Sequence, residues 1–97
     1  MEEERHNWDK IGANMNAIRT QTLIKEADVV VVRFGEKYRQ WNAAFDAGYC
    51  AALGTPYITL HDESIVHALK EVDGSAAAWA QTPEQVVEII NYVIAQE

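Results

Sequence analysis

The feature that most constrains the fold is the change of pattern along residues 27–60. Four consecutive valines, residues 29–32, form one apolar run, and a second run follows at residues 57–60. Between them lie a charged, aromatic loop at residues 35–41 and a helical segment rich in alanine and glycine that stops at Gly54. This order predicts a βαβ unit with two parallel strands. Ligands of open α/β sheets bind at the carboxyl ends of strands, so the loop is the expected site of any chemistry.

Size and charge narrow the possible functions. The 97 residues allow a single domain, residues 1–97, and 48 % of them are hydrophobic, as in ordinary folded proteins. A net charge of −7 argues against a nucleic acid polymer as partner, because phosphate backbones attract basic surfaces. The sequence has no apolar stretch of about 18 residues and no signal peptide, so we expect no membrane association. The lone Cys50 lies among alanines, which favours a buried thiol in a reducing cytoplasm.

Helices are predicted on either side of the first strand. The first helix should be capped by Asn7 or Asp9 and end near residue 26. Its apolar stripe comprises Ile11, Met15, Ile18, Thr22 and Leu23. The second helix should run over residues 43–53, with Asn42 as its N-cap. Gly48 inside it costs about 1 kcal/mol relative to alanine. We attribute that cost to a close approach of the helix to the sheet or to a ligand.

The alternation continues after residue 57. The expected elements are a strand at 57–61, a short helix ending near residue 72, a turn at 73–75, a strand at 76–80 and a last helix. Asp62 or Ser64 is the expected cap of the short helix. Thr82, Pro83 and Gln85 have the spacing of the N-cap, N1 and N3 positions of a capping box. The apolar stripe of the last helix comprises Val86, Ile89, Ile90, Val93 and Ile94.

The whole order predicts a three-layer α/β domain. Its short parallel sheet should have about three strands, with helices on both faces. The four valines predict a strand at residues 29–34 that is covered on both faces. Such a narrow sheet has two edges, so we expect the first helix or a second copy of the chain to cover them. The chain is therefore expected to form a homo-oligomer.

Residues 34–42, FGEKYRQWN, within the longer segment 19–60, resemble the YtoQ-like proteins, small bacterial proteins of poorly defined function. More distantly, the chain resembles nucleoside 2-deoxyribosyltransferases and nucleotide N-glycosidases, which share the pattern E-x-G-Y-A-x-A-L-G-K-P. Residues 46–56 read DAGYCAALGTP at that place. The resemblance implies a deoxyribosyltransferase-like fold and a nucleoside- or nucleotide-like ligand. It places Asp46 where those enzymes have a nucleophilic glutamate.

Two differences from these families bear on the site. Aspartate is one methylene shorter than glutamate, which moves the carboxylate by about 1 Å or more and affects an in-line attack. The look-alikes also begin with a further strand and a glycine-rich or polar loop that helps to hold the ligand. The sequence here begins at the helix that follows. The resemblance therefore implies that part of the binding site is missing or is supplied by another subunit.

Asp46 is the candidate catalytic residue. A carboxylate can attack the anomeric carbon, displace the base and form a glycosyl-enzyme intermediate. A position near a helix N-terminus would keep it ionised. The alternative is an acid that only complements the helix dipole. Glu36 and Tyr38 are candidate proton donors to the leaving base.

The loop and its neighbours supply the candidate ligand-binding residues, which are Gly35, Glu36, Tyr38, Arg39, Trp41, Asn42 and Arg19. Arg39 and Lys37 can bind a phosphate or carboxylate, or else pair with Glu36. Tyr38 and Trp41 either stack on a base or plug the end of the sheet. Asn42 is expected to be a helix cap first and a ligand contact second. Arg19 either orients a ligand anion or forms a structural ion pair, with Asp46 as a candidate partner.

His61 and Asp62 end the second strand at the same edge as the loop. His61 is a candidate for acid–base work, with a structural, hydrogen-bonded histidine as the alternative. His6, His67 and Cys50 lack metal-ligand spacing, so we expect no metal and no cofactor. We expect a small-ligand-binding or homo-oligomeric interaction module. The alternative is a nucleoside or nucleotide N-glycosidase or deoxyribosyltransferase-like enzyme that uses Asp46 as its nucleophile.

Overall fold

A computed structural model describes residues 2–35 and 39–95; for residues 2–6, 39 and 40 it describes the backbone alone. The elements are α1 (Glu2–Glu26), β1 (Val30–Arg33), α2 (Arg39–Leu53), β2 (Tyr57–Leu60), a 3₁₀ turn (Glu63–Ile65), α3 (Lys70–Ser75), β3 (Ala78–Ala80) and α4 (Pro83–Ala95). This order confirms the predicted alternation. None of the described helices is both long enough and apolar enough to span a bilayer.

The sheet is parallel throughout, with strand order β1-β2-β3. Val30 lies opposite Tyr57 in the β1–β2 pair, and Ile58 lies opposite Ala78 in the β2–β3 pair. β2 is central, and all four of its residues are buried. The predicted fold class, a small α/β domain with a short parallel sheet and helices on both faces, is confirmed.

The two faces of the sheet have separate hydrophobic clusters. One cluster joins β1 and β2 to α1 and α2 through Val32, Tyr57, Ile24 and Cys50. The second cluster lies under α4 and contains Ile58, Leu60, Ala78, Ala80, Val86, Ile89 and Ile90. The prediction that Cys50 is buried is confirmed, since its exposed fraction is 0 %.

β1 is not covered on both faces, contrary to the prediction. Val32 is buried, whereas Val31 is 43 % exposed because α4 packs over β2 and β3 rather than over β1. The amides of Val30 and Phe34 point toward β2 and donate to the carbonyl oxygens of Pro56 and Leu60. The alternation of a strand therefore directs those of Val31 and Arg33 toward the outer edge. Within the described chain, that edge pairs with no other strand.

The first two helices differ from prediction at their N-termini. α1 begins at Glu2, so Asn7 and Asp9 lie inside it rather than capping it. α2 begins at Arg39, so Asn42 is a residue of its first turn and not its N-cap. Both helices begin earlier in the chain than predicted. The residues before each predicted cap have adequate helix propensity, so the helix includes them.

Two other helix ends follow the predicted chemistry. Gly54 has φ +76°, and the bonds from its amide to Ala51 and from Thr55 to Cys50 form a Schellman motif. At α4, the Gln85 amide donates to Thr82 Oγ1 over 3.2 Å. The Gln85 side chain accepts from the amide of Gln81 rather than from that of Thr82, so the capping box is shifted by one residue.

The connection from β2 to β3 is less regular than predicted. Residues 63–72 do not form one helix, because a 3₁₀ turn and further turns precede α3. The predicted turn at residues 73–75 is the last part of α3. Asp62 occupies the N-cap position of the 3₁₀ turn but forms no side-chain cap bond there; its carboxylate accepts from Ser64 Oγ over 2.7 Å.

Candidate functional site

Two adjoining cavities lie around α2. The first, which we call the β1 groove, is a cavity of about 540 Å³ along the open edge of β1, bounded by α1 and α2. The second, the α1–α2 cleft, has about 320 Å³. Thr20, Asn42 and Asp46 line both cavities, and we call these three residues the polar junction. A hydroxyl, an amide and a carboxylate therefore meet where the two cavities adjoin.

Asp46 is the acidic residue of the polar junction. It is the eighth residue of the 15-residue α2, so the prediction that it lies near a helix N-terminus is wrong. The side chain is half-buried, and this burial raises the pKa of the carboxyl group above its ordinary value. The Asp46 charge in turn adds to burial in raising the pKa of the Cys50 thiol one turn further on. The environment therefore favours the neutral acid, opposite to the effect expected from the helix dipole.

The predicted pairing of Arg19 with Asp46 is not found. Arg19 is exposed, and the one ion pair within the described part of the chain joins His61 to Asp73. Asp46 thus has no ion-pair partner among the described residues. Arg33, the last residue of β1, lines the same groove as Asp46 and is the cation placed along it.

A third cavity lies at the carboxyl ends of the strands. This carboxyl-edge pocket, of about 340 Å³, is lined by residues that include Arg33, Gly35, His61 and Asp62. The sequence predicted one group of candidate site residues at the carboxyl ends of the strands. The structure divides them between the carboxyl-edge pocket and the polar junction. Arg33 lines both the pocket and the β1 groove.

His61 is buried in a complete set of contacts. Its Nε2 lies 2.8 Å from the Asp73 carboxylate, and its Nδ1 lies 2.8 Å from the Asp62 carbonyl oxygen. The ring stacks on Trp79 at 5.2 Å between centroids and meets Phe34 edge-on. Both ring nitrogens therefore lie within hydrogen-bond distance of an oxygen atom of the same domain. Of the two predicted roles, this geometry matches the structural, hydrogen-bonded histidine.

The remaining loop predictions divide between described and undescribed residues. Glu36, Lys37 and Tyr38 lie outside the described residues, as does the side chain of Arg39. Trp41 is 82 % exposed, so it does not plug the end of the sheet. Among the described residues, no group of three His, Cys, Asp or Glu side chains is arranged to hold a metal ion.

Sequence reasoning missed three residues of these sites. Thr20 follows the predicted Arg19, but an uncharged threonine inside a helical segment gives no signal of a binding role. Arg33 had a usable signal, since a charged residue that ends an apolar strand lies at the ligand-binding edge of such sheets. Asp73 had no signal, because it lies 12 residues from His61 in a segment predicted to be a turn.

The fold and cavities define a class: small α/β proteins with a parallel sheet and a ligand-sized groove beside its edge strand. The family described as nucleoside 2-deoxyribosyltransferase YtoQ matches residues 1–94, and the chain belongs to this family. It is 39 % identical over 89 residues to the uncharacterized protein YtoQ of Bacillus subtilis (strain 168). The match covers 92 % of this chain and 60 % of that relative. The chain therefore spans less than two thirds of the length of the curated relative.

Proposed function

We propose that this chain binds a nucleoside- or nucleotide-like small molecule in the β1 groove, with the sugar at the polar junction. The observation that carries the proposal is the half-buried Asp46 carboxylate, which has no ion-pair partner among the described residues and lies beside Asn42 and Thr20. Sugar hydroxyls donate to a carboxylate and exchange hydrogen bonds with amides and hydroxyls. Membership of a family described as nucleoside deoxyribosyltransferases supports the ligand class.

Arg33 favours a charged ligand in the same groove. Its guanidinium is always protonated and matches the geometry of a phosphate. Because Arg33 lies at the carboxyl end of β1, a sugar at Asp46 places a 5′-phosphate toward that end of the groove. The ligand contacts predicted for Gly35, Glu36, Tyr38, Arg39, Trp41 and Arg19 belong to this proposal.

Cleavage of an N-glycosidic bond is the second candidate function. A carboxylate with a pKa raised by burial is a stronger nucleophile when ionised, which favours this reading of Asp46. The Asp46 oxygen would bond to the anomeric carbon as the bond from that carbon to the base nitrogen breaks. A proton donor protonates the leaving base. Water then hydrolyses the ester between Asp46 and the sugar.

The proposal also includes the oligomeric state and the cell compartment of the protein. The open edge of β1 and the exposed apolar side chains of α1 are both surfaces that a second copy can cover, which supports self-association. The lone, buried Cys50 supports a reducing cytoplasm.

Titration of the 97-residue chain with nucleosides and 5′-nucleotides tests binding. We expect 5′-nucleotides to bind more tightly than nucleosides, and Asp46→Asn to weaken binding about tenfold, since a charged hydrogen bond is lost. Glu88→Gln is the matched control, because it removes an exposed carboxylate from α4. Equal affinity of the Asp46 and Glu88 variants contradicts the site.

Chromatography of the same mixtures separates the two functions. Release of free base by the parent chain but not by Asp46→Ala supports the enzyme. Binding without base release supports the binding module. Equal release from both proteins rules out Asp46 as the nucleophile.

A further inference from the structure

Helix α1 turns one face toward its own domain and carries large apolar side chains on the opposite face. The inner face is centred on Ala13, Ala17, Thr20 and Ile24, which line the α1–α2 cleft or the β1 groove together with Asn16, Gln21 and Leu23. The outer stripe consists of Trp8, Ile11, Met15 and Ile18, whose exposed fractions are 70, 47, 67 and 64 %. At 100° per residue, the centres of the two sets lie about 170° apart around the helix. The outer stripe therefore faces away from the domain.

In an ordinary surface helix, the large apolar side chains face the core, whereas in α1 they face away from it. The inner face uses mainly small residues, whereas the outer stripe carries a tryptophan, a methionine and two isoleucines. Single exposed apolar residues are common, but four large ones in a row form a patch of the kind that marks an interaction site. The predicted stripe of α1 does not pack into the core of its own chain, since Ile11, Met15, Ile18, Thr22 and Leu23 are all exposed.

A longer sheet would not cover this stripe. Any strand added beyond β1 would lie on the inner side of α1, beside the groove. The outer stripe would remain exposed. The N-terminal part of α1 also extends away from the domain: every side chain from residue 7 to 19 is exposed, and the longest dimension of the molecule is 55 Å.

The spacing and charge of the stripe indicate what covers it. Residues 8, 11, 15 and 18 follow the 3-4-3 spacing of a coiled-coil seam. The flanking e and g positions are Gly12, Asn14, Arg19 and Gln21, none of which is acidic. In a chain of net charge −7, the segment from residue 8 to 21 thus has no acidic residue at the flanking positions, and the nearest acidic position of the seam is Glu4, one turn before Trp8.

We propose that the outer stripe of α1 binds the same stripe of a second copy, forming a two-fold dimer through paired helices. This inference rests on the self-association named in the proposed function and assigns its surface. Four large side chains per copy make an interface smaller than the usual 800 Å² per partner. We therefore expect a dissociation constant on the order of 1–100 µM.

Sedimentation equilibrium across that concentration range tests the proposal. The expected mass rises from 10.9 kDa toward twice that value. Met15→Glu should raise the dissociation constant by about 100-fold or more, because it buries a charge in the seam. Asn91→Glu, an exposed position on α4, introduces the same charge and should leave the dimer intact. A dimer that Met15→Glu leaves unchanged overturns the assignment of this surface. A monomer at all concentrations overturns self-association itself, and neither outcome affects the ligand titration.

Hydrogen exchange of the parent chain provides a measurement that needs no variant. The amides of residues 8–18 should become more protected as the concentration rises through the dissociation constant. Pairing through the β1 edge would instead protect Val31 and Arg33. That result also overturns the proposal.

Discussion

The surroundings of His61 and of Asp46 differ in how completely each side chain is satisfied. His61 directly follows β2 and has an oxygen atom within hydrogen-bond distance of each ring nitrogen and two aromatic rings against it. Asp46 is half-buried between two cavities and has no ion-pair partner among the described residues. A satisfied polar group contributes to stability, whereas a desolvated charge without a partner costs stability and is available to a ligand. This difference supports a structural role for His61 and is the reason why we propose ligand binding at Asp46.

The largest expected effect tests the structural role of His61. His61→Ala removes the stacking on Trp79 and leaves the Asp73 carboxylate without its partner. We expect the free energy of unfolding to fall by about 3 kcal/mol. Urea denaturation measures this change, and Asp62→Asn, which alters an exposed neighbouring acid, should change it by less than about 0.5 kcal/mol. A His61 variant as stable as the parent would contradict the structural role of His61.

A smaller effect concerns the constraint on α2, the helix that carries Asp46. A Cβ added at Gly48 meets no atom within 4 Å, so the predicted close approach to the sheet or a ligand is not found within the chain. Gly48→Ala should raise the free energy of unfolding by about 0.5–1 kcal/mol through helix propensity. Gly54→Ala, the same change at φ +76°, should lower it by about 1 kcal/mol. Loss of stability in the Gly48 variant would show that another surface packs there.

The smallest effect is the pH dependence of Asp46→Asn. Burial raises the pKa of Asp46 in the folded state above its ordinary 3.8, so ionisation costs the folded state more than the unfolded one. The parent therefore loses stability as the pH rises from 3.8 through the raised pKa, and the amide variant does not. We expect the variant to be more stable at pH 7, by on the order of 0.5 kcal/mol, with the difference shrinking at acid pH. Urea denaturation at several pH values measures it; a difference that grows toward acid pH contradicts the argument.

The sequence predicted the elements that depend on local chemistry. Gly54 and Thr82 mark helix ends through backbone geometry and capping, and both act as expected. Prediction failed where the outcome depends on distant residues. The exposure of Val31 depends on where α4 packs, and the partner of His61 comes from α3. The site was predicted in part: Asn42 and Asp46 lie together, whereas Gly35 lines a different pocket.

The central position of β2 has a consequence for how the chain unfolds. Tyr57 points into one hydrophobic cluster, whereas Ile58 and Leu60 point into the other. This four-residue strand therefore contributes to the hydrophobic clusters on both faces of the sheet. Loss of β2 disrupts both clusters at once. The two halves of the molecule should therefore melt as a single cooperative unit rather than in sequence.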